Sequence, residues 1–145
     1  MAGGKNMYKE EKNEVTVKLP YEVGAVVRTY QSGQRFTDRV RQYVISDTIN
    51  VVLDVNCEEN KQMPPIELTE FKKRWEAEGR RNSMVIELPY EVDTAVKNGE
   101  LSGRIFSYTV GNDKTTVIVN LKKDGRSKLS GPIELEEFKR NWNKA

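Results

Sequence analysis

The sequence contains no histidine and only one cysteine, and these two features restrict the chemistry that the chain can perform. Without histidine, the chain lacks the commonest general base, the usual zinc ligand and the base of a Ser-His-Asp or Cys-His nucleophile. Cys57 cannot form an intramolecular disulfide, and a lone cysteine fits a reducing compartment. The sequence therefore predicts a cytoplasmic protein that is not an enzyme and binds neither a metal nor a cofactor.

Long apolar runs and nucleotide-binding motifs are also missing. No stretch of 18 apolar residues occurs, and residues 1–13 lack the apolar core of a signal peptide. Neither the G-x-x-x-x-G-K-[ST] phosphate loop nor the G-x-G-x-x-G turn is present. We expect residues 1–13 to form a disordered leader, and we predict no association with a membrane.

The chain carries an internal duplication. LPYEV at residues 19–23 returns at residues 88–92, and PIELTEFKKRW at 65–75 returns as PIELEEFKRNW at 132–142. We define repeat 1 as residues 14–78 and repeat 2 as residues 79–145. A chain of 145 residues has the size of a single domain. The sequence therefore predicts two lobes that share a core about a pseudo-two-fold axis, as a monomer or as a homodimer.

The segment after LPYEV has two interpretations. Pro20 suits the first position of a helix. The apolar residues that follow have the spacing of one helix face, namely Val23, Val26, Val27 and Tyr30. This pattern predicts a helix that ends at Gly33, with a shorter counterpart in repeat 2. An extended strand beginning at Val23 is the alternative, and Gly24 and the β-branched valines favour it.

The remaining segments of each repeat give one structural prediction. Alternating residues on either side of a turn predict one hairpin per repeat, and an extended IEL segment then leads into a final helix. The apolar stripe of that helix consists of Leu68, Phe71 and Trp75 in repeat 1, and of Leu135, Phe138 and Trp142 in repeat 2. Each repeat thus reads strand, helix, strand, strand, helix. The predicted fold class is α+β with a mainly antiparallel sheet.

Two basic clusters are candidate binding surfaces. Arg35, Arg39 and Arg41 alternate along the first hairpin strand with Tyr43 beyond them. Arg104 and Tyr108 occupy the corresponding positions of repeat 2. On an exposed sheet face, these guanidinium and phenol groups could bind a phosphate, a nucleotide or an acidic protein. The alternative is that the arginines pair with aspartates across the hairpin.

The second cluster lies in a glycine-containing loop of repeat 2 and consists of Lys122, Lys123, Arg126 and Lys128. A loop of this kind can reach a nucleic-acid backbone. The corresponding loop of repeat 1 contains Glu58, Glu59 and a single lysine, Lys61, so any contact of this kind would belong to one lobe.

These features favour a small cytoplasmic binding protein without catalytic activity that engages a host protein, another macromolecule or an anionic ligand. Phage and mobile-element inhibitors of host defence, such as anti-CRISPR proteins or nucleotide sponges, are of this type. The alternative is a nucleic-acid-binding protein in which the basic residues contact phosphates while Tyr43 and Tyr108 stack on bases. A third hypothesis is a carboxylate-dependent enzyme that uses the glutamates shared by both repeats, Glu22, Glu67, Glu70, Glu91, Glu134 and Glu137.

Overall fold

The computed structural model describes residues 14–79 and 83–145, so the predicted leader at residues 1–13 lies outside the described residues. The elements of the first half are β1 (Val15–Leu19), β2 (Val26–Gln31), β3 (Gln34–Ile45), β4 (Ile49–Val55), β5 (Ile66–Glu67), α1 (Leu68–Arg74) and β6 (Glu76–Ala77).

The second half repeats the same order of elements with one additional strand, β11. Its elements are β7 (Met84–Leu88), β8 (Ala95–Asn98), β9 (Leu101–Val110), β10 (Thr115–Lys123), β11 (Arg126–Leu129), β12 (Ile133–Glu134), α2 (Leu135–Asn141) and β13 (Asn143–Lys144). The predicted hairpins (β3–β4 and β9–β10) and the predicted final helices (α1 and α2) are confirmed.

The predicted first helix of each repeat is wrong. The alternative of an extended strand is right in type, although the strand of repeat 1 begins at Val26 and not at Val23. β2 and β8 occupy these positions. Ahead of β2, the N–H of Ala25 donates to the carbonyl of Glu22 at 3.1 Å. Gly24, the third residue of this turn, has a φ of 98°, as a type II turn requires. The turn reverses the chain at the point where a helix was expected to run.

The helical spacing in this segment was coincidental. Val27 and Thr29 are buried, and they lie two residues apart on one face of β2. β-Branched side chains favour such a strand, since their stiff χ1 torsions fit a pleated surface better than a helix. The α+β plan of strand, helix, strand, strand, helix is therefore corrected to a predominantly β fold, in which α1 and α2 have seven residues each.

Eleven strands of the described residues form one sheet. Its main path runs β11-β10-β9-β3-β2-β6. Beside this path, β4 pairs with β3 and β5, β12 pairs with β10, and β8 pairs with β9 and β13. β1 and β7 form a separate two-stranded ribbon. All of these pairings are antiparallel, because the chain returns through hairpins and short connections.

The two halves join at the centre of the sheet. Across the junction of β3 and β9, Val44 lies opposite Thr109, and the flanking pairs are Tyr43 with Val110 and Ile45 with Tyr108. Tyr43 and Tyr108 are corresponding residues of the two repeats. Each lies one step from the Val44–Thr109 pair, on opposite sides of it. The junction therefore has pseudo-two-fold symmetry, and the hydrogen-bonded sheet is continuous across the repeats.

Two buried tyrosines tie the junction to the LPYEV segments. Tyr43 and Tyr108 are both 0% exposed. The hydroxyl of Tyr43 donates to the carbonyl of Tyr21, and that of Tyr108 donates to the carbonyl of Tyr90, each at 2.6 Å. Tyr21 and Tyr90 are the tyrosines of the two LPYEV motifs. Each motif thus supplies a hydrogen-bond acceptor to the centre of the sheet.

The same tyrosines of LPYEV also contact the final helices. The ring of Tyr21 meets Phe71 edge-on at 5.8 Å, and Phe71 stacks on Trp75 at 5.7 Å. Tyr90, Phe138 and Trp142 repeat the arrangement at 6.4 and 5.9 Å. The two most strongly repeated sequence motifs are therefore packed against each other in both repeats.

Burial of these tyrosines predicts alkaline sensitivity. Desolvation raises the pKa of Tyr43 and Tyr108 well above the ordinary value, and this effect outweighs the hydrogen bond to the carbonyl, which acts in the opposite direction. Below about pH 10, both tyrosines are protonated in the folded and the unfolded states. Above about pH 10, they ionise in the unfolded state first, so each lowers the free energy of unfolding by up to ~1.4 kcal/mol per pH unit.

Urea unfolding at pH 8, 10 and 11 measures this effect. The variant with Tyr43→Phe and Tyr108→Phe is the control, because it removes both groups and retains the other titrating side chains. We expect stability to fall less steeply above pH 10 in this variant than in the wild type. Parallel slopes would show that the two tyrosines do not contribute to the pH dependence.

Candidate functional site

A β-bulge in each long strand decides which predicted site residues reach the surface. The register of β3 against β4 shifts between Val40 and Gln42, and that of β9 against β10 shifts between Ile105 and Ser107. An extra residue in one strand reverses the alternation of its side chains. Tyr43 consequently faces the core, although simple alternation placed it beside Arg41. The prediction that Tyr43 and Tyr108 lie on an exposed face is wrong.

Arg35 is separated from the other strand arginines. It is exposed and forms an ion pair with Glu78, which also pairs with Arg28 at 3.2 Å. Arg35 lies near the turn between β2 and β3, and four residues of strand put it about 13 Å from Arg39. The structure therefore does not gather the three arginines into one site.

Arg41 already has a partner. It occupies the bulge, and its guanidinium lies 3.3 Å from a carboxylate oxygen of Asp54, a residue that is 3% exposed. The same Asp54 oxygen accepts a hydrogen bond from the side chain of Gln62 at 2.8 Å. The alternative interpretation, pairing across the hairpin, is thus right for Arg41. The guanidinium of Arg39 donates to the carbonyl of Cys57 at 3.4 Å.

A groove of about 670 Å³ runs beside Arg39 and Arg41 at the junction of the repeats. Repeat 2 supplies its other wall. The charged side chains along the groove are of both signs, with three cations (Arg39, Arg41 and Lys114) and three carboxylates (Asp54, Glu59 and Asp113). A mixed lining of this kind does not select strongly for an anion.

The second arginine-tyrosine pair predicted from the duplication does not form a surface site. Arg104 is exposed and donates to the carbonyl of Asp93 at 2.8 Å. Tyr108 is buried. In the bulge of β9, Phe106 occupies the position that Arg41 has in β3, and Phe106 is 47% exposed. The outer faces of the two repeats have therefore diverged in charge.

The predicted basic loop of repeat 2 is a β-hairpin. β10 and β11 pair from Asn120 opposite Leu129 to Lys123 opposite Arg126. The two turn residues, Asp124 and Gly125, have φ values of 53° and 76°. Positive φ at both central residues defines a type I′ turn, for which Asp-Gly is a preferred sequence. An Asp-Gly pair between strand-like residues could have revealed this hairpin in the sequence.

The hairpin concentrates positive charge on one face. In an antiparallel pair, cross-strand partners share a face, and so do residues two apart. Lys123, Arg126 and Lys128 therefore lie on the same face as Leu121, while Lys122 lies on the opposite face. All four cations are exposed. Within residues 14–79 and 83–145, no carboxylate forms an ion pair with any of them. We call the segment from Lys122 to Leu129, which contains the four cations and the turn, the basic hairpin.

Sequence reasoning missed the apolar part of this surface. A groove of about 940 Å³ lies beside the hairpin, and it is lined by Leu101 and Leu121, by all four cations and by two carboxylates, Glu100 and Asp124. The cations therefore outnumber the carboxylates by two. Leu101 lies at the start of β9 and is 47% exposed. The alternation of β9 and β10 places Leu101 next to the hairpin only once the strands are paired, so no local signal in the sequence showed it.

The remaining candidates for chemistry are dispersed. Among the residues that the structure describes, no cluster of three or more His, Cys, Asp or Glu side chains could hold a metal ion. The six glutamates shared by the repeats are all exposed. Neither helix in the described part of the chain has the length and apolar character needed to cross a membrane.

No protein-family model, curated protein or solved structure matches this chain significantly.

Proposed function

We propose that the protein is a non-catalytic, cytoplasmic binding protein that engages an anionic macromolecular partner through the basic hairpin. One observation carries this proposal. Lys123, Arg126 and Lys128 lie on one exposed face, and no ion pair within the described residues neutralises them. Desolvated contacts between such cations and a partner's carboxylates or phosphates are among the stronger polar interactions at interfaces.

The shape of the surface favours a macromolecule over a small ligand. Sites for small molecules are usually concave and enclose most of the ligand. The groove beside the basic hairpin is instead open to solvent, because every residue from Lys122 to Leu129 is exposed. A nucleotide would find no aromatic ring on this face, since the lining consists of aliphatic, charged and small polar side chains. Inhibition of a host-defence protein by occupancy of its surface is the biological role that we propose.

The six exposed glutamates support the non-catalytic part of the proposal. A carboxylic acid that works as a general acid or base is usually buried in the pocket that holds the substrate. Exposed glutamates at Glu22 and Glu91 in turns, and at Glu70 and Glu137 in α1 and α2, lack that burial.

A nucleic acid is the second candidate partner, because the four cations of the hairpin can also contact phosphates. The structure removes the base-stacking part of that hypothesis, since Tyr43 and Tyr108 are buried. Binding would then depend on phosphate contacts alone. Such binding falls steeply with salt and shows little sequence preference.

Fluorescence anisotropy with two labelled probes, polyglutamate and a 20-nucleotide oligo(dT), tests the proposal. The hairpin variant carries Lys123→Gln, Arg126→Gln and Lys128→Gln. We expect it to bind the favoured probe about 100-fold more weakly, since three charge-assisted contacts at ~1 kcal/mol each correspond to that factor. Preference for polyglutamate indicates a protein partner, and preference for oligo(dT) indicates a nucleic acid.

The matched control removes the same charge elsewhere, with Lys18→Gln, Lys72→Gln and Lys97→Gln, all exposed positions. We expect less than a threefold change in affinity for this variant. If neither probe binds, or if both variants lose affinity equally, the basic hairpin is not the contact surface and the proposal is wrong.

A further inference from the structure

The basic hairpin ends in a free strand edge. β11 is the last strand of the sheet path and pairs only with β10 among the described strands. Beside a two-residue turn, Lys123 and Arg126 form a pair that exchanges both backbone hydrogen bonds. Such pairs alternate along an antiparallel ladder, and Ser130, whose N–H donates to the carbonyl of Val119 at 2.8 Å, fits this alternation. The backbone N–H and C=O groups of Ser127 and Leu129 therefore point away from β10.

The two faces of this edge differ in character. Arg126 and Lys128 lie on the basic face with Lys123. Leu129 lies on the opposite face and is 47% exposed. Leu129 is paired with Asn120, and Asn120 is in turn paired with Arg104, two residues from the exposed Phe106. The edge of β11 thus offers outward backbone hydrogen-bonding groups, two cations on one face, and one exposed apolar side chain, Leu129, on the face that also carries Lys122.

We propose that β11 receives an extended segment of the partner protein as an additional β-strand, and that this segment alternates acidic and apolar residues. This inference rests on the proposed function and specifies its partner. In strand addition, main-chain hydrogen bonds supply affinity, and alternate side chains supply specificity. The acidic residues of the segment lie beside Arg126 and Lys128, while its apolar residues lie on the side of Leu129.

The charges of β11 argue against a second copy of this chain as the added strand. Edge-to-edge pairing of two β11 strands would bring Arg126 and Lys128 next to the same cations of the other molecule. Like charges on neighbouring strands are destabilising, and basic residues are a common protection of sheet edges against self-association. The same charges attract an acidic strand.

A nucleic acid uses only part of this surface. A phosphate backbone can contact the cations, but it presents no alternating N–H and C=O groups to the edge of β11 and no apolar side chains to Leu129. An acidic peptide uses all three features. The observations therefore favour the peptide.

The charged edge strand β11 has no counterpart among the described residues of repeat 1. In repeat 1 the corresponding chain forms no strand beside β4 beyond a single bridge between Asp54 and Gln62. That connection carries Glu58 and Glu59, which are exposed. The edge strand and its positive charge are thus two linked differences between otherwise similar repeats.

The test measures, by fluorescence anisotropy, the binding of a labelled ten-residue peptide of alternating glutamate and valine to the protein. Two further peptides have the same sequence but are N-methylated, one at every glutamate and the other at every valine. In an added strand, only one of these two sets of N–H groups faces β11. We expect one methylated peptide to bind at least tenfold more weakly and the other to bind within about threefold of the parent.

Hydrogen exchange by NMR provides a readout that does not depend on a variant. The amides of Ser127 and Leu129 point outward and should exchange rapidly in the free protein. We expect the bound peptide to slow both at least tenfold, whereas the amides of Arg126 and Lys128, already bonded to β10, should change little.

A pair of variants tests the same edge. Ser127→Pro removes one outward N–H and should weaken peptide binding at least tenfold, and Ser127→Ala should bind the peptide as the wild type does.

The outcomes separate the two proposals. If the peptide binds and the hairpin variant with three glutamines abolishes binding, but N-methylation and the exchange of Ser127 and Leu129 have no effect, strand addition is wrong and the proposed function stands. If oligo(dT) binds and the peptide does not, the partner is a nucleic acid and the inference is overturned. If nothing binds, both are overturned.

Discussion

Replacement of Gly103 by alanine is expected to lower the free energy of unfolding by ~3 kcal/mol or more. A Cβ on Gly103 would lie 2.3 Å from the carbonyl oxygen of Asn120 and 2.9 Å from its carbonyl carbon. Both atoms belong to the backbone of β10, so relief requires a shift of the strand rather than a rotation of a side chain. Chemical denaturation measures the loss directly.

The control is Gly131→Ala. Among the described residues, apart from its two chain neighbours, no atom lies within 4 Å of a Cβ at that position. We expect its free energy of unfolding to stay within ~0.5 kcal/mol of the wild type. A Gly103→Ala variant as stable as Gly131→Ala would show that β9 and β10 are not so closely packed at this point.

The second large effect is expected from Tyr43→Phe and Tyr108→Phe. Each removes one hydroxyl and leaves the ring in place, so the packing of the core changes little. The carbonyl of Tyr21 or Tyr90 then loses its 2.6 Å donor. A buried acceptor without a donor costs ~1–3 kcal/mol. Tyr43→Phe should have the larger effect, since its hydrogen bond is fully buried and that of Tyr108 is partly buried.

Tyr30→Phe is the matched control, since Tyr30 is 58% exposed. It should change the free energy of unfolding by less than ~0.5 kcal/mol. The double variant is expected to lose at least the sum of the two single effects, because the two tyrosines flank the same junction between β3 and β9. Single variants with losses below ~0.5 kcal/mol would contradict a structural role for these hydroxyls.

The site illustrates how one local irregularity changes a functional prediction. Strict alternation along residues 35–43 put Tyr43 beside Arg39 and Arg41 on one exposed face. The bulge at Arg41 turns Tyr43 into the core, and Asp54 neutralises Arg41. A bulge leaves no clear signal in a single sequence, because it is specified by the pairing of β3 with β4. The candidate binding surface is therefore the basic hairpin and not the arginines of β3.

Several elements could be predicted from the sequence because their signals are local. The buried pair of Phe71 in α1 and Trp75 directly after it, and the alternation of Val51 and Leu53 in β4, recur at corresponding positions of repeat 2. Periodicity of this kind depends only on which side of one element is buried. The cations of the basic hairpin could also be predicted to lie at the surface, because lysine and arginine side chains are mostly exposed in folded proteins.

Other features required the tertiary structure. The spacing of Val23, Val26 and Val27 favoured a helix, whereas the pairing of β2 with β3 and β6 places Val26 and Val27 in a strand. Whether the two repeats share one sheet depended on the contact of Val44 with Thr109, residues far apart in the chain. β11 is likewise an edge strand because, among the described strands, only β10 pairs with it. Local periodicity reports burial, whereas strand partners, register and edges are decided by contacts between distant segments.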